Sequence, residues 1–398
     1  MTDWPVKTLG DVCEVVNGAT PKTNVKEYWG GSHAWITPAE MGNLDSPFLS
    51  MSRRTLSDQG LAACSATLVP PKTVILSSRA PIGHLVINEV PMATNQGCKS
   101  LIPNDGLDSI FLYYYLKANV ERLDSLGTGA VFKELSGTQL KTVEIPVPPL
   151  GEQKRIVALL DAATERVTEL AACYEQARTH ANNLFTSALR DALESNPDWP
   201  VKTLGDICVV FDDGDWIESK DQALSGVRLI QTGNVGDGEF KDRSDKARFI
   251  SEPTFSRLRC TEIFPGDLLV SRLPDPVGRA CLIPDTGSKM ITAVDCTIMR
   301  PRKDIMLPRF LVSSTQTSGY REQVSAKITG ASRDRISRSN LAEVQIPVPP
   351  LEEQKLIVAR LDAMRAKTSE MVAAYDAKLT SAKNLRQSIL EAAFAGEL

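Results

Sequence analysis

Two segments of the chain carry apolar residues spaced alternately by four and three positions. In the first segment these positions are Ile156, Leu160, Ala163, Val167, Leu170, Tyr174, Ala177, Ala181, Leu184 and Ala188. In the second they are Ile357, Leu361, Met364, Thr368, Met371, Tyr375, Lys378, Ala382, Leu385 and Ile389. All ten pairs share a separation of 201 residues. This pattern predicts two long helices, each with a narrow seam that packs on another helix.

A pair of prolines precedes each segment, at Pro148–Pro149 and Pro349–Pro350. Proline is tolerated at a helix start but not inside a helix, so each helix is predicted to begin at or just after the second proline. A helix of about 40 residues spans about 60 Å, more than a small domain needs. We therefore expect the two helices to pack on each other. The alternative is that each helix only covers its own domain.

Short runs of β-forming residues fill the rest of the chain, separated by Gly, Pro and Asn. Such runs lie at 73–78, 84–88, 267–272 and 280–284. They predict several short strands joined by turns. Helical stretches are expected to follow near 110–123 and 310–324.

The chain contains two copies of one unit. "WPVKTLGD" occurs at 4–11 and at 199–206, and "IPVPPLGEQKRIVALLDA" from Ile145 returns from Ile346 as "IPVPPLEEQKLIVARLDA". A repeat of about 200 residues indicates a duplicated domain rather than an array of short repeats. The predicted boundaries are 1–148 and 196–349 for two mixed domains, and 149–195 and 350–398 for the helices. We interpret the octapeptide as the structural start of each domain, packed near the helices.

Composition and charge narrow the class of protein only slightly. The chain has 398 residues, 42% hydrophobic, and a net charge of −4. No run of about 18 apolar residues occurs, and the N-terminus lacks signal-peptide features, so we expect a cytoplasmic protein without a membrane partner. The net charge excludes a uniformly basic surface, but a local basic face suffices for binding nucleic acid.

Motifs for common enzyme chemistry are missing from the sequence. It has no phosphate-binding G-x-x-x-x-G-K-[ST] loop, no H-E-x-x-H, G-x-S-x-G or G-x-G-x-x-G, and no amino-methyltransferase [N/D]-P-P-[Y/F]. Eight cysteines without a C-x-x-C pair and three histidines predict no metal site. Asp212 and Asp213 with the Glu218–Lys220 stretch resemble a nuclease pattern, which leaves an enzyme as one alternative. We interpret this stretch as a turn, because the first unit has no carboxylates there.

Polar and basic residues cluster at turns of both mixed domains. Arginine can bind guanine through two hydrogen bonds, and Asn or Gln can bind adenine in the same way. Lys, Ser and Thr more often hold phosphates. The candidate DNA-binding residues are Thr37, Arg79, Asn95, Gln96, Lys133, Gln231, Thr232, Asn234, Arg272, Arg279, Arg333 and Arg335.

These motifs together resemble the DNA-specificity subunit of type I restriction–modification systems over essentially the whole chain. The first half continues "NGATPKTNVKEYWGGSHAWITPAEM" after its octapeptide, similar to the family's G-x-T-P…Y-W…W-I-T opening. The second continues "DDGDWIESKDQALSGVRLIQTGNVGDGEF", similar to a variant opening. Both halves close with "IPVPPL-x-EQK-x-IV", and the chain ends in "SILEAAFAGEL".

The resemblance implies an α+β fold with a pseudo-two-fold internal repeat. Two mixed α/β target-recognition domains are separated by two long antiparallel coiled-coil helices. Each domain would read one half of an asymmetric bipartite site in double-stranded DNA, and the helices would set the spacer between the halves.

The resemblance also implies partners. The helices would dock two methyltransferase subunits and, through them, restriction/translocase subunits. Methylation with S-adenosylmethionine, and cleavage with ATP and Mg, would belong to those partners, leaving this chain non-catalytic and without a cofactor. The alternative is a helical scaffold whose duplicated domains bind protein.

Overall fold

The computed structural model describes residues 4–44, 46–129, 133–194, 196–329 and 334–398. The chain divides into two compact units, Met1–Glu175 together with Ala377–Leu398, and Gln176–Asp376. These units differ from the four predicted segments, because each long helix contributes one part to each unit. Each unit is therefore a mixed domain with the start of one long helix and the end of the other.

The first unit and the first long helix contain ten strands and seven α-helices among the described residues. They are β1 (Val6–Thr8), α1 (Leu9–Val12), β2 (Cys13–Asn17), β3 (Trp29–Ile36), α2 (Pro38–Met41), β4 (Phe48–Leu49), β5 (Arg54–Leu56), α3 (Asp58–Ala62), β6 (Val74–Ser78), β7 (Ile82–Asn88), β8 (Met92–Thr94), β9 (Cys98–Pro103), α4 (Ser109–Ala118), α5 (Val120–Leu126), α6 (Gly137–Lys141), β10 (Glu144–Pro146) and α7 (Leu150–Glu194).

The second unit has a similar series of elements up to the second long helix, although its described residues form no α-helix at the places of α1 and α2. Its elements are β11 (Val201–Thr203), β12 (Cys208–Asp213), β13 (Gln222–Ala223), β14 (Val227–Ile230), β15 (Arg248–Ile250), α8 (Glu252–Leu258), β16 (Leu268–Ser271), β17 (Ala280–Leu282), β18 (Met290–Thr292), β19 (Cys296–Pro301), α9 (Pro308–Ser314), α10 (Ser318–Ala326), α11 (Arg338–Ala342), β20 (Gln345–Pro347) and α12 (Leu351–Ala395).

The sheets of the two units share the order of their common strands, and each unit adds one strand. Strand β4 pairs parallel with β7 in the first unit, and β13 pairs antiparallel with β15 in the second. The strand order β2-β9-β6-β7 returns as β12-β19-β16-β17, with every neighbouring pair antiparallel. The order β5-β3-β8 returns as β15-β14-β18, and in both sheets the second pair is parallel. The predicted α+β fold with an internal repeat is thereby confirmed.

The two repeated sequence blocks pair with each other in each unit. Strand β1 lies in "WPVKTLGD" and β10 in "EIPVPPL", and they pair antiparallel with Lys7 opposite Ile145. Strands β11 and β20 pair in the same register, with Lys202 opposite Ile346. The octapeptide also lies near a helix, since the Trp199 indole donates to the Glu353 carboxylate (Nε1–Oε2 3.2 Å) on α12.

A buried glutamine at the start of each long helix joins the helix to its domain. The Gln153 side chain accepts from the Asp108 N–H (2.8 Å) and donates to the carbonyls of Gly106 (2.9 Å) and Pro148 (2.8 Å). Gln354 makes the same three bonds in the second unit. Both side chains are fully buried, so each glutamine satisfies backbone groups that water cannot reach.

Both long helices begin directly after their proline pairs, at Leu150 and Leu351. Within the first unit they run antiparallel, because the Arg155 guanidinium near the start of α7 binds the carbonyl of Leu398 (2.8 Å). Farther along the pair, Lys378 lies over the ring of Tyr174 (5.2 Å to its centroid). Ile156 and Leu160 also belong to one core with Phe111 and Leu390, so α7 covers its own domain and packs on α12 as well.

The predicted seam is correct in part and drifts along the helices. Ile156, Leu160, Val167 and Leu361 are buried, while Tyr174, Ile357, Met364, Met371 and Tyr375 are half-buried. Leu170, Leu184 and Leu385 are 40%, 49% and 47% exposed, so their assignment to the seam is wrong, whereas Ala181 and Ala382 are buried. A straight α-helix drifts by about 20° per heptad from a seven-residue repeat, so the shift approaches one residue only after about four heptads, at Leu184 and Leu385.

Substitution of the buried glutamine tests its role. Gln153→Leu leaves three buried backbone groups without partners and should lower the free energy of unfolding of the first unit by about 3 kcal/mol. Urea unfolding measures the change, and the exposed Gln176→Ala on the same helix is the control. Equal midpoints for the two variants would show that Gln153 does not hold the domain.

Candidate nucleic-acid interface

A turn with a cis proline follows the central strand of each large sheet. The Ala80–Pro81 bond joins β6 to β7 and the Asp275–Pro276 bond joins β16 to β17, and both are cis. The residue before each proline has a positive φ, 48° at Ala80 and 85° at Asp275. The duplicated turns therefore present their neighbouring side chains, including Arg79 in the first unit, at equivalent places.

Two glycines bring a second loop against each turn region. A Cβ on Gly18, after β2, would lie 2.0 Å from the Asn95 carbonyl oxygen, and one on Gly214, after β12, would lie 2.3 Å from that of Ala293. Only glycine allows the chain to approach so closely. In the first unit the loop after β8 therefore lies beside the loop after β2. In the second unit the loop after β18 lies beside the loop after β12.

The first loop cluster consists of Thr20, Arg79, Asn95, Gln96, Lys99 and Glu134. Asn95 donates to Thr20 (Nδ2–Oγ1 2.9 Å), and the Thr20 hydroxyl donates to Gln96. Glu134 lies between two cations, at 4.0 Å from Arg79 and 3.9 Å from Lys99. Arg79 is 37% exposed and Gln96 is exposed, so both can reach a ligand in front of the cluster.

Thr37 and Lys133 lie beside this cluster with partners of their own. Thr37 caps α2 by accepting from the Glu40 N–H (3.3 Å). A Cβ added to Gly97 would lie 3.1 Å from Pro38, the residue after Thr37, and 3.1 Å from the Arg79 Nε. Thr37 and Arg79 therefore both lie close to Gly97. Lys133 is exposed and pairs with Asp124 (2.9 Å). The structure therefore brings Thr37, Arg79, Asn95 and Gln96 together, and leaves Lys133 in a separate ion pair.

The second loop cluster consists of Asp212, Asp213, Arg272, Asp295, Arg335 and Arg338. It holds three ion pairs, Arg272 with Asp213 (3.2 Å), Arg335 with Asp295 (3.1 Å) and Arg338 with Asp212. Arg335 and Arg338 are 46% and 45% exposed, whereas the Arg272 side chain is 5% exposed. This cluster therefore presents two exposed arginines over a buried one.

Three of the predicted DNA-binding side chains direct their polar atoms toward the interior of the second unit. The Arg279 guanidinium donates to five carbonyls, of Thr232, Val235, Leu273, Pro274 and Pro276. Arg272 donates to the Val294 carbonyl, and the Asn234 amide donates to the carbonyls of Lys241 and Asp242. Burial also lowers the pKa of both guanidinium groups. These hydrogen bonds shape the loops, and contact of the three side chains with DNA stays a prediction.

The other second-unit candidates remain predictions. Gln231 and Thr232 are half-buried at a 3-10 turn, where the Gln231 N–H donates to Asn234 (3.0 Å). Arg335 is exposed in the second loop cluster. Arg333 lies outside the described residues.

The structure adds candidates that the sequence interpretation missed. Lys99 and Glu134 complete the first loop cluster, and Arg338 belongs to the second. Trp216 is 71% exposed just after the close approach at Gly214. An aromatic side chain in a polar turn was the available signal for Trp216, because an exposed ring can stack on a base.

The acidic stretch of the second unit is divided among separate ion pairs. Asp212 and Asp213 bind different arginines, and Glu218 binds Lys220 (2.6 Å). Asp215 accepts from the Thr261 N–H (3.0 Å), and burial raises its pKa. Across the described ranges, no group of three His, Cys, Asp or Glu side chains could hold a metal ion. The described helices also include none long and apolar enough to cross a membrane.

Comparison with known proteins identifies the family. The model of the type I restriction modification DNA specificity domain matches residues 1–174 and again residues 196–380. The chain therefore belongs to this family and contains its domain twice.

Several curated relatives are specificity subunits. The MjaIX subunit of Methanocaldococcus jannaschii is 36% identical over 225 residues, 52% of each chain. The EcoR124I/EcoR124II subunit of Escherichia coli is 28% identical over 42% of this chain and 43% of its own. The match thus spans about half the length of these two relatives. The StySPI subunit of Salmonella potsdam is 24% identical over 99% of this chain and 89% of its own.

Two solved structures share the fold. A chain from a study of complex assembly and conformational transition of the type I R-M system has a TM-score of 0.79 at 22% identity, covering 99% of this chain and 98% of that one. The HsdS subunit from Thermoanaerobacter tengcongensis has a TM-score of 0.60 at 23% identity, covering 99% and 97%.

Substitution of the internally bonded Arg279 should lower the free energy of unfolding more than substitution of the exposed Arg335. Arg279→Met removes five hydrogen bonds to carbonyls and should lower the free energy of unfolding of the second unit by about 3 kcal/mol. Arg335→Ala breaks only a half-exposed ion pair, so its effect should stay within about 1 kcal/mol. Thermal unfolding of both variants tests the distinction, and it fails if Arg279→Met is as stable as Arg335→Ala.

Proposed function

We propose that this chain is the DNA-recognition subunit of a type I restriction–modification complex. Each unit reads one half of a bipartite site in double-stranded DNA with its loop cluster. The long helices set the distance between the halves, because half-site spacing follows from protein geometry.

One observation carries this proposal. The same backbone arrangement of a turn and two loops occurs in both units, but it carries different polar side chains in each. The cis-proline turn and the two loops beside it recur in both units. In the first unit they carry an arginine and two amides, suited to guanine and adenine edges. In the second they carry exposed Arg335 and Arg338. Unlike clusters favour unlike half-sites, and so an asymmetric target.

The chain acts in this proposal together with catalytic partners in the cytoplasm. Two methyltransferase subunits dock on the long helices, and restriction/translocase subunits join through them. Adenine methylation with S-adenosylmethionine and cleavage with ATP and Mg belong to those subunits. The lack of matching enzyme motifs in this sequence supports that division, as do the names of its relatives.

Selection of bound sequences tests the proposal. The chain, purified with its methyltransferase, should enrich a bipartite motif from a random double-stranded DNA library. Its affinity should also fall steeply with salt, because phosphate contacts release counterions. Equal binding of all sequences would contradict the proposal.

Exposed arginines of the two clusters should affect separate half-sites. Arg79→Ala should lower the affinity for the selected DNA roughly ten-fold, since a lost base contact costs about 1–3 kcal/mol, and should relax the preference in one half only. Arg335→Ala should do the same in the other half. Gel shifts measure both effects, with Arg302→Ala as the control, because Arg302 follows the far end of β19. If Arg79→Ala and Arg335→Ala both left the affinity unchanged, the DNA would bind to a surface other than the two loop clusters.

A further inference from the structure

A cavity of about 560 Å³ in the first unit lies outside the loop cluster. Its walls come from α4, the start of α7, the end of α12 and the loop after α2. Its lining includes the apolar residues Leu44, Pro47 and Leu85 and the cations Lys117 and Arg386. A pocket of this size suits a small molecule.

Two cations face this cavity without a carboxylate partner in the described part of the chain. Among the described residues, Lys117 donates only to the Tyr113 hydroxyl (2.8 Å), which keeps its own proton for donation. Neither Lys117 nor Arg386 forms an ion pair with a described residue. Two like charges in one partly buried cavity repel each other, and an anion between them would relieve that repulsion.

The duplication supplies a matched cavity in the second unit. It has a volume of about 460 Å³ and is lined by Phe185, Gln316 and Arg365, among others. Phe185 stands 201 residues before Arg386, the separation that relates all equivalent helix positions. Gln316 corresponds to Lys117. Lys117 lies nine residues after Asp108, whose N–H binds Gln153, and Gln316 lies nine residues after Leu307, whose N–H binds Gln354.

The two cavities have opposite charge. In the second, a phenylalanine and an amide replace both cations. Its one arginine, Arg365, lies over the Phe185 ring (4.6 Å) and binds Gln316 (3.1 Å). Three carboxylates, Asp237, Glu239 and Asp376, line it as well. The cationic lining is thus a specific property of the first copy and not a consequence of the shared fold.

We propose that the cavity of the first unit binds a small molecule that carries a phosphate group, and that the cavity of the second unit does not. Arg386 and Lys117 bind the phosphate oxygens, and the Tyr113 hydroxyl donates a further hydrogen bond. Hydrogen bonds between charged groups are stronger than hydrogen bonds between neutral groups. The apolar residues of the lining contact the rest of the molecule. This site is separate from DNA reading and does not depend on it.

Titration calorimetry of the complete chain tests the site with three probes, inorganic phosphate, glycerol 3-phosphate and sulfate. All three should bind with one site per chain. Glycerol 3-phosphate should bind at least as tightly as inorganic phosphate, because the cavity has room beyond the oxyanion. Rejection of the ester would restrict the site to free ions and overturn the proposed ligand class.

Variants in the two cavities separate the site from general surface charge. Lys117→Met and Arg386→Met should each lower phosphate affinity about ten-fold or more, whereas Arg365→Met in the second cavity should leave it unchanged. Arg386→Gln repeats the test with a different side chain if a methionine variant fails to fold. Unaltered affinity in the first-cavity variants would overturn the proposal. The proposal would also be overturned if the first-cavity variants lost DNA affinity while the unsubstituted chain showed no saturable phosphate binding.

The pH dependence of sulfate binding identifies Lys117 directly. Burial, and then the charge of Arg386, lowers the pKa of Lys117 to about 8. Sulfate keeps its charge in this range, so its affinity should be full below pH 8 and fall as the lysine loses its proton above it. The other groups facing Lys117 are Tyr113 and Tyr114 on α4, Asp161 bound to Tyr114, and His84 on β7.

The pH profile has its own controls. Lys117→Met should remove the fall in affinity above pH 8, and His84→Asn should retain it. A fall that persists in Lys117→Met would assign the titration to another group and overturn the role of Lys117.

Discussion

The pairing of the two repeated sequence blocks is the constraint on which each unit depends. Strands β1 and β10 bring the first and last segments of the mixed domain together, and β11 and β20 do so in the second copy. The proline pair and the long helix follow directly from the second block. Gln153 then binds the loop before α4, and Gln354 does so before α9. Because these contacts fix the start of the helix against its domain, each domain sits on the helix pair in a defined way.

This frame leaves the loops between its fixed strands free to differ. Both units keep the cis-proline turn and the close approach at Gly18 or Gly214, which are backbone features. The side chains on that backbone are unlike, with amides and an arginine in one copy and paired arginines and carboxylates in the other. The same divergence separates the two cavities beside the helices. Duplication of the frame therefore allows each copy to acquire its own recognition chemistry.

The sequence predicted the fold well because strong, local signals determine it. The repeated blocks, the proline pairs and the heptad spacing correctly predicted two units and two long helices. The seam was wrong at Leu170, Leu184 and Leu385, and the last two lie four heptads along a helix that turns once every 3.6 residues and not every 3.5. The inward direction of Arg272 and Arg279 could not be predicted. For Arg279 it depends on carbonyls that the turn at Pro276 and the loop at 232–235 bring together, and for Arg272 on the Val294 carbonyl and Asp213. No local pattern in the sequence records these arrangements.

The central claim is that two unlike halves of this chain specify one bipartite DNA target. Mapping of methylated adenines in the host genome, with and without the gene for this chain, tests it most directly. The expected result is a motif of two different short sequences with a spacer of fixed length, which disappears when the gene is deleted. A continuous or palindromic motif, or a methylation pattern that does not change on deletion, would contradict it.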